Sequence, residues 1–189
     1  GAGLGFAFLT AVEVFDGYSS QWGASSGDII ANASGTALYV SQELIWKEQR
    51  ITPKFSFHTT KYDGYRPEVL GSSYTEQILK DYNGQTYWLS VNLHSFANGS
   101  KIPKWLNVAL GYGAEGMITG NKENTTTTYT PNPQRFKQLY LSLDVDLTKI
   151  ETNSHFLKTI FSVFNSLKIP APTIEFVQFN DIKYHFIYF

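Results

Sequence analysis

Read as a string of apolar and polar positions, the chain changes its period once, near residue 50. Before that point the spacing is helical. Asp28, Asn32, Gly35, Tyr39, Gln42 and Trp46 recur at alternating steps of four and three, which places them on one helix face. Ser25 or Ser26 is positioned to cap this helix, and Asp28 in its first turn complements the positive end of the helix dipole. Gly27, Ala31 and Gly35 form a row of small residues that admits a second backbone at close range. The partner expected for that row is the apolar run Leu4 to Asp16. Residues 1–50 are therefore predicted to form a helical hairpin.

From residue 51 to 189 the pattern is mainly one of alternation. Ile51 to His58 is extended in character, with Pro53 marking an edge or a strand start. Ser73-Tyr74-Thr75-Glu76 is a capping box that opens a short helix ending by Asn83-Gly84. In Thr86 to Leu93, apolar Tyr87, Leu89, Val91 and Leu93 alternate with Thr86, Trp88, Ser90 and Asn92. Trp105 to Met117 is the next strand, with Gly111, Gly113 and Gly116 on or near the face opposite Leu106, Val108, Leu110 and Tyr112. Phe136 to Thr148 sets Leu139, Leu141, Leu143, Val145 and Leu147 against Tyr140, Ser142, Asp144 and Asp146. An amphipathic helix follows Asn153 (Phe156, Ile160, Val163, Phe164, Leu167). Ile169 to Pro172 then forms a stiff connector, and an aromatic strand carries Ile182, Tyr184, Phe186 and Tyr188. Five or six strands are expected. The predicted fold is α+β and membrane-associated: a helical hairpin, then an antiparallel sheet or barrel-like region with an amphipathic helix.

Composition narrows the setting. Of the 189 residues only 16% are charged, the net charge is −1, and aromatics also make up 16%. Soluble domains carry about 25% charged residues. Low charge with abundant Tyr and Trp suits a membrane interface, and it equally suits a β-rich core. The near-zero charge and the lack of a basic run argue against nucleic acid as a partner. With no Cys there are neither disulfides nor thiolate metal sites.

Candidate chemistry is sparse. The predicted hairpin would gather Glu13, Asp16, Asp28 and Asn32, an acidic cluster between apolar helices. Such a cluster is costly unless its members pair or bind something. The same residues also read as a helix-end pair, a first-turn Asp and an interhelical amide. Asp144 and Asp146 suggest a cation or acid pair, or a solvated or lumen-facing strand surface. His58, His94, His155 and His185 lack ligand spacing and read as surface or interface histidines, so no metal and no cofactor are expected. Hydrolase, phosphate-loop and dinucleotide motifs are absent from the sequence.

Glu13-Val-Phe-Asp-Gly17, Trp22-Gly-Ala-Ser-Ser-Gly-Asp28 and Ala31-Asn-Ala-Ser-Gly35 together resemble the YfiM-like family of predicted periplasmic lipoproteins. Lys80 to Ser90, Pro103 to Asn107 and Gly111 to Met117 resemble its longer Bacteroidetes-type form. More distantly, the first 50 residues look like the membrane helices of VanZ-like proteins. The resemblance implies a bacterial envelope location at the outer membrane, with lipid and other envelope proteins as partners, and it implies no reaction. A helix with an Asp-Lys-x-x-His pattern precedes the Glu13 equivalent in that family and has no match here, so the chain is expected to be truncated at its start. The resulting expectation is a non-enzymatic accessory or structural subunit of an envelope complex. The alternative is an envelope lipid- or glycan-acting enzyme or binding protein using Glu13, Asp16, Asp28 and Asn32.

Overall fold

The computed structural model describes residues 26–62, 64–97, 101–118, 134–178 and 181–189. The chain divides into two compact units, Gly1–Ile51 and Thr52–Phe189.

In the first unit, helix α1 spans Ser26–Trp46. Its end is fixed by one side chain. Gln42 is almost fully buried, and its Oε1 accepts hydrogen bonds from the backbone N–H of Arg50 (2.9 Å) and Ile51 (2.7 Å). Its Nε2 donates to the Ile51 carbonyl and to Gln49 Oε1. Lys47, with φ 57°, supplies the left-handed turn that lets the chain double back. A Cβ added at Gly35 would meet nothing within 4 Å among the described residues. The predicted partner run, Leu4 to Asp16, lies outside the described residues.

The second unit is an open six-stranded antiparallel sheet in sequence order. Its strands are β1 (Ile51–Phe57), β2 (Gln85–Asn92), β3 (Leu106–Glu115), β4 (Phe136–Val145), β5 (Ala171–Val177) and β6 (Asp181–Tyr188). Short helices α2 (Pro67–Leu70) and α3 (Tyr74–Lys80) join β1 to β2. Helix α4 (Leu93–Phe96) follows β2. A 3-10 turn (Leu147–Lys149) and helix α5 (His155–Phe164) join β4 to β5. Ser73 caps α3 as its sequence predicts, while the Glu76 carboxylate reaches back to the N–H and hydroxyl of Ser72, one residue earlier than a capping box requires. Strand β5 extends well beyond the expected connector, because Thr173 and Glu175 face inward and pair in register with β4.

Register defines the two faces. On one, Tyr87, Tyr112, Leu139, Phe176 and Ile182 lie side by side across five strands. Leu89, Leu110, Leu141, Ile174 and Tyr184 form the next row, and Val91, Val108 and Leu143 a third. On the other face run Trp88–Gly111–Tyr140–Glu175–Lys183, then Ser90–Ala109–Ser142–Thr173–His185, then Asn92–Asn107–Asp144. The polar face is the buried one. Ser90, Asn92, Asn107, Ser142, Asp144, Thr173 and Glu175 are all inside, whereas most of the apolar rows are open, with Tyr184 78% exposed.

The sheet curls around this polar face. Lys54 of β1 reaches β4, donating to the Val145 carbonyl at 2.8 Å. Tyr188 of β6 packs on Trp88 of β2 and stacks on Tyr140 of β4 at 4.7 Å. Gly111 is required by this packing: a Cβ there would sit 2.6 Å from the Trp88 ring. The edge of β1 is met by the segment after α5, where Phe55 N–H donates to Ser166 and Lys168 N–H donates to Phe55. Among the described residues strand β6 pairs with β5 alone and forms the sheet's last edge. No helix of the described residues is long and apolar enough to cross a membrane.

Candidate functional site

The candidate residues read from sequence fall largely outside what the structure describes. Glu13 and Asp16 lie outside the described residues, as does the Asp28 side chain. Asn32 sits half-buried on α1, its carbonyl accepting a hydrogen bond from Thr36 Oγ1. What the structure places together instead is the lining of the curled sheet.

At the end nearest α5, Asp144 sits between two lysines, and all three side chains have zero exposure. Lys54 Nζ is 2.8 Å from Asp144 Oδ2, which also accepts from Ser90 Oγ at 2.6 Å. Asp144 Oδ1 accepts from the Ile169 N–H. Lys168 Nζ lies 3.8 Å from Asp144 and donates to the Leu143 and Ile169 carbonyls. Its ammonium also lies over the Trp88 ring. Burial pushes Lys168 down to about 8; the Asp144 carboxylate opposes that shift and Lys54 adds to it. Asn107 Nδ2 donates to Ser90 Oγ, and Asn92 Nδ2 donates to Asn107 Oδ1. Asp144 is thus neither solvated nor one of an acid pair. Asp146, also buried, caps the 3-10 turn by accepting from Thr148 N–H and Oγ1. Each ammonium is occupied by internal acceptors, so this cluster is architecture.

The opposite end carries carboxylates from β3 and β5. Gln138 Nε2 donates to Glu115 Oε2 (3.2 Å) and Glu175 Oε1 (2.8 Å), joining the two carboxylates through one amide. Tyr62 OH donates to Glu115 Oε1, and His185 Nε2 lies 2.6 Å from Glu175 Oε2. Burial, then the Glu115 hydrogen bond, drives the Tyr62 phenol well above its ordinary range; burial does the same to Tyr140. His185 is therefore an inward-facing partner of a buried carboxylate, where the sequence had suggested a surface or interface histidine. Among the described residues no group of three or more His, Asp or Glu side chains is placed to hold a metal ion. The sequence signal for both clusters was present but ambiguous, because strand alternation gives two faces without saying which is inside.

The outer face carries a hollow of its own. Between β4, β5 and β6 lies an apolar hollow of about 500 Å³ lined by Leu141, Leu143, Ile174, Tyr184 and Phe186. A bulge contributes to it: β6 gains one residue on β5 between His185 and Tyr188, and Phe186 stands 92% exposed. The same bulge turns Tyr188 inward onto Tyr140, although alternation from Ile182 and Tyr184 would place it on the outer face.

No family model, no curated protein and no solved structure matches the chain. The likeness to YfiM-like proteins rests on the quoted residues alone. The site has to be read from its own geometry.

Proposed function

We propose that the protein is a non-enzymatic accessory subunit of an envelope assembly at the outer membrane, its curled sheet embedded among lipid and partner strands. One observation carries this reading: charged and amide side chains line the inside of the sheet, and Leu, Val, Ile, Tyr and Phe cover the outside. A sheet in water has the reverse arrangement, whereas strands in a bilayer turn apolar residues outward and polar residues inward.

Two magnitudes favour a subunit over a free-standing barrel. The outward apolar run of β4, Leu139 to Val145, ends at Lys137, and it covers about 20 Å at ~3.4 Å per residue. Tilted by roughly 40°, that is about 15 Å of height against the ~25 Å apolar band of outer-membrane barrels. The six strands of the described residues also fall short of the roughly eight that a single-chain barrel uses. An open edge in lipid is costly because each unpaired backbone group goes unsatisfied. Strand β6, with its inward Lys183 and His185 and outward Ile182 and Tyr184, is the edge that a partner strand would complete. The resemblance to periplasmic lipoproteins points to the same compartment.

The test uses the absence of cysteine from the chain. A single Ile182→Cys or Tyr184→Cys variant is expressed in the native envelope, cross-linked, extracted in mild detergent and sized. Recovery in the outer-membrane fraction, cross-linked to another chain, is the expected result. Recovery as a detergent-free soluble monomer without a cross-link would sink the proposal.

A further inference from the structure

Strand β6 is held in two different ways along its length. From Asp181 to His185 it pairs residue by residue with β5, and from the inside Glu175 reaches both His185 (2.6 Å) and Lys183 (3.6 Å). Beyond His185 the bulge interrupts the pairing, which resumes only at Tyr188 opposite Ala171. The short arm formed by residues 186–189 is poorly covered, with Phe186 92% and Phe189 54% exposed. Of the six strands, β6 alone has no buried residue.

One side chain fastens the arm. Tyr188 enters the interior, stacks on Tyr140 at 4.7 Å and meets Trp88 edge-on at 6.2 Å. Its hydroxyl donates to Tyr140 Oη at 2.8 Å and lies 3.4 Å from Thr86 Oγ1. The His58 and His185 rings flank it at 5.8 and 5.0 Å. Thr86, Trp88 and Tyr140 are almost fully buried, so the ring closes a slot that water does not reach. Strand β1 lies across from the arm. Phe55, Ser56 and Phe57 share with Phe189 the lining of a hollow of about 230 Å³. Among the described residues β1 and β6 share no ladder. Beyond the bridge from Phe55 to Leu167, the two ends of the sheet therefore face each other across a seam spanned by side chains.

We infer that residues 186–189 are a latch: the arm pivots at the bulge, Tyr188 is its bolt, and its withdrawal opens the seam between β1 and β6 onto the polar interior. Local opening begins where burial and backbone pairing are least, and β6 past its bulge is short of both. What holds it is concentrated in one ring. Such aromatic contacts are strong enough to keep an arm shut most of the time and too weak to make it permanent. The latch acts within this chain and works alike whether lipid, detergent or water lies outside the sheet.

Hydrogen exchange of the full purified chain in mild detergent, read by mass spectrometry at several sub-denaturing urea concentrations, tests the latch. The peptide covering residues 184–189 should exchange faster than β3 and with less dependence on urea. Tyr188→Ala should speed that peptide alone by about tenfold, the contribution of an aromatic pair. Tyr188→Phe keeps the ring and loses its hydroxyl bonds, and should speed it about threefold. Phe186→Ala, on the same arm but facing out, should change nothing. Because the chain has no native cysteine, Phe57→Cys and Phe189→Cys can be joined by a short bis-maleimide within one molecule. That link should slow the 184–189 peptide to the urea-dependent rate of β3. Exchange of 184–189 only through global unfolding, with the urea dependence of β3, overturns the latch. So does a Tyr188→Ala protein whose β3 and β6 peptides speed up together, the mark of a ring that merely stabilises the fold. Failure of the two cysteines to link within one molecule refutes the facing edges. If Tyr188→Ala does not fold, Tyr188→Phe and the linked pair decide by the same readouts.

Discussion

The buried Asp144 cluster makes a prediction whose sign and size both follow from geometry. Lys168 has no exposed side-chain surface, faces one shared carboxylate at 3.8 Å, and has its pKa pushed down from 10.5 to about 8. Above pH 8 it is increasingly neutral in the folded protein, whereas the unfolded chain keeps its proton until near pH 10.5. The unfolded state then binds more protons, so stability must rise with pH across that window. Integrating between the two pKa values, raising pH from about 7.5 to about 9.5 adds ~2 kcal/mol. Toward the upper limit the buried phenols of Tyr62, Tyr140 and Tyr188 begin to oppose the rise, because the unfolded chain gives up those protons first.

The assay is urea unfolding in mild detergent, followed by the fluorescence of buried Trp88, at several pH values in that range. Lys168→Met removes the titrating group while keeping the stem. It should flatten the rise and cost about 1–3 kcal/mol at neutral pH, because the Leu143 and Ile169 carbonyls lose their donor. Asp144→Asn should be worse, at roughly 3–5 kcal/mol, because Lys54 is left charged and buried without a counter-ion. A flat pH profile in the unmodified protein, or an unchanged rise in Lys168→Met, would refute the account of the cluster.

Other outcomes are as definite. Gly111→Ala should cost about 1–3 kcal/mol in urea unfolding, since the new Cβ would meet the Trp88 ring at 2.6 Å. Gly71→Ala should be destabilising too, because φ is +99° and the Cβ would fall 2.6 Å from the Gln77 nitrogen; circular dichroism melting measures the loss. Gln42→Ala should expose the Arg50 and Ile51 amides to hydrogen exchange and cost about 1–2 kcal/mol, with the sheet amides unchanged. Leu141→Ser on the outer face should barely alter unfolding in detergent, whereas Ser142→Leu, one residue along and facing inward, should prevent folding; a native circular dichroism spectrum for Ser142→Leu would reverse the assignment of the faces.

Element type was largely legible in the chain, since alternation in 86–93 and 136–148 and the four-three spacing of α1 each point to one structure. Strand β5 was harder. Pro170 and Pro172 mask its start, and the alternation of inward Thr173 and Glu175 with outward Ile174 and Phe176 spans only four residues, too few to mark a strand beside two prolines. The inward carboxylate cluster was only half legible, because alternation separates the two faces without linking one strand to another. Glu115, Gln138, Glu175, His185 and Tyr62 come from five separate stretches, so no local spacing links them. Glu13, Asp16, Asp28 and Asn32 were legible as a candidate cluster from the helical spacing alone, and of their side chains only that of Asn32 lies among the described residues.

The inside of a sheet is decided by which side chains need each other. Leu139, Leu141 and Leu143 give no instruction, because leucines are equally at home against a core or against lipid. Trp88 opposite Gly111 does instruct. A ring that large can lie across a strand only where the neighbour has no Cβ, and that fit is worth making only on a packed face. Lys54 adds a second constraint, since a charge in a strand must be either wet or paired, and its partner Asp144 is 90 residues away on β4. Taken together, a glycine beneath a tryptophan and an acid matched by two lysines select the polar face as the interior. The leucines then face outward by default. That ordering turns the apolar skin outward, and it fails at once if inward Ser142 tolerates leucine while outward Leu141 does not tolerate serine.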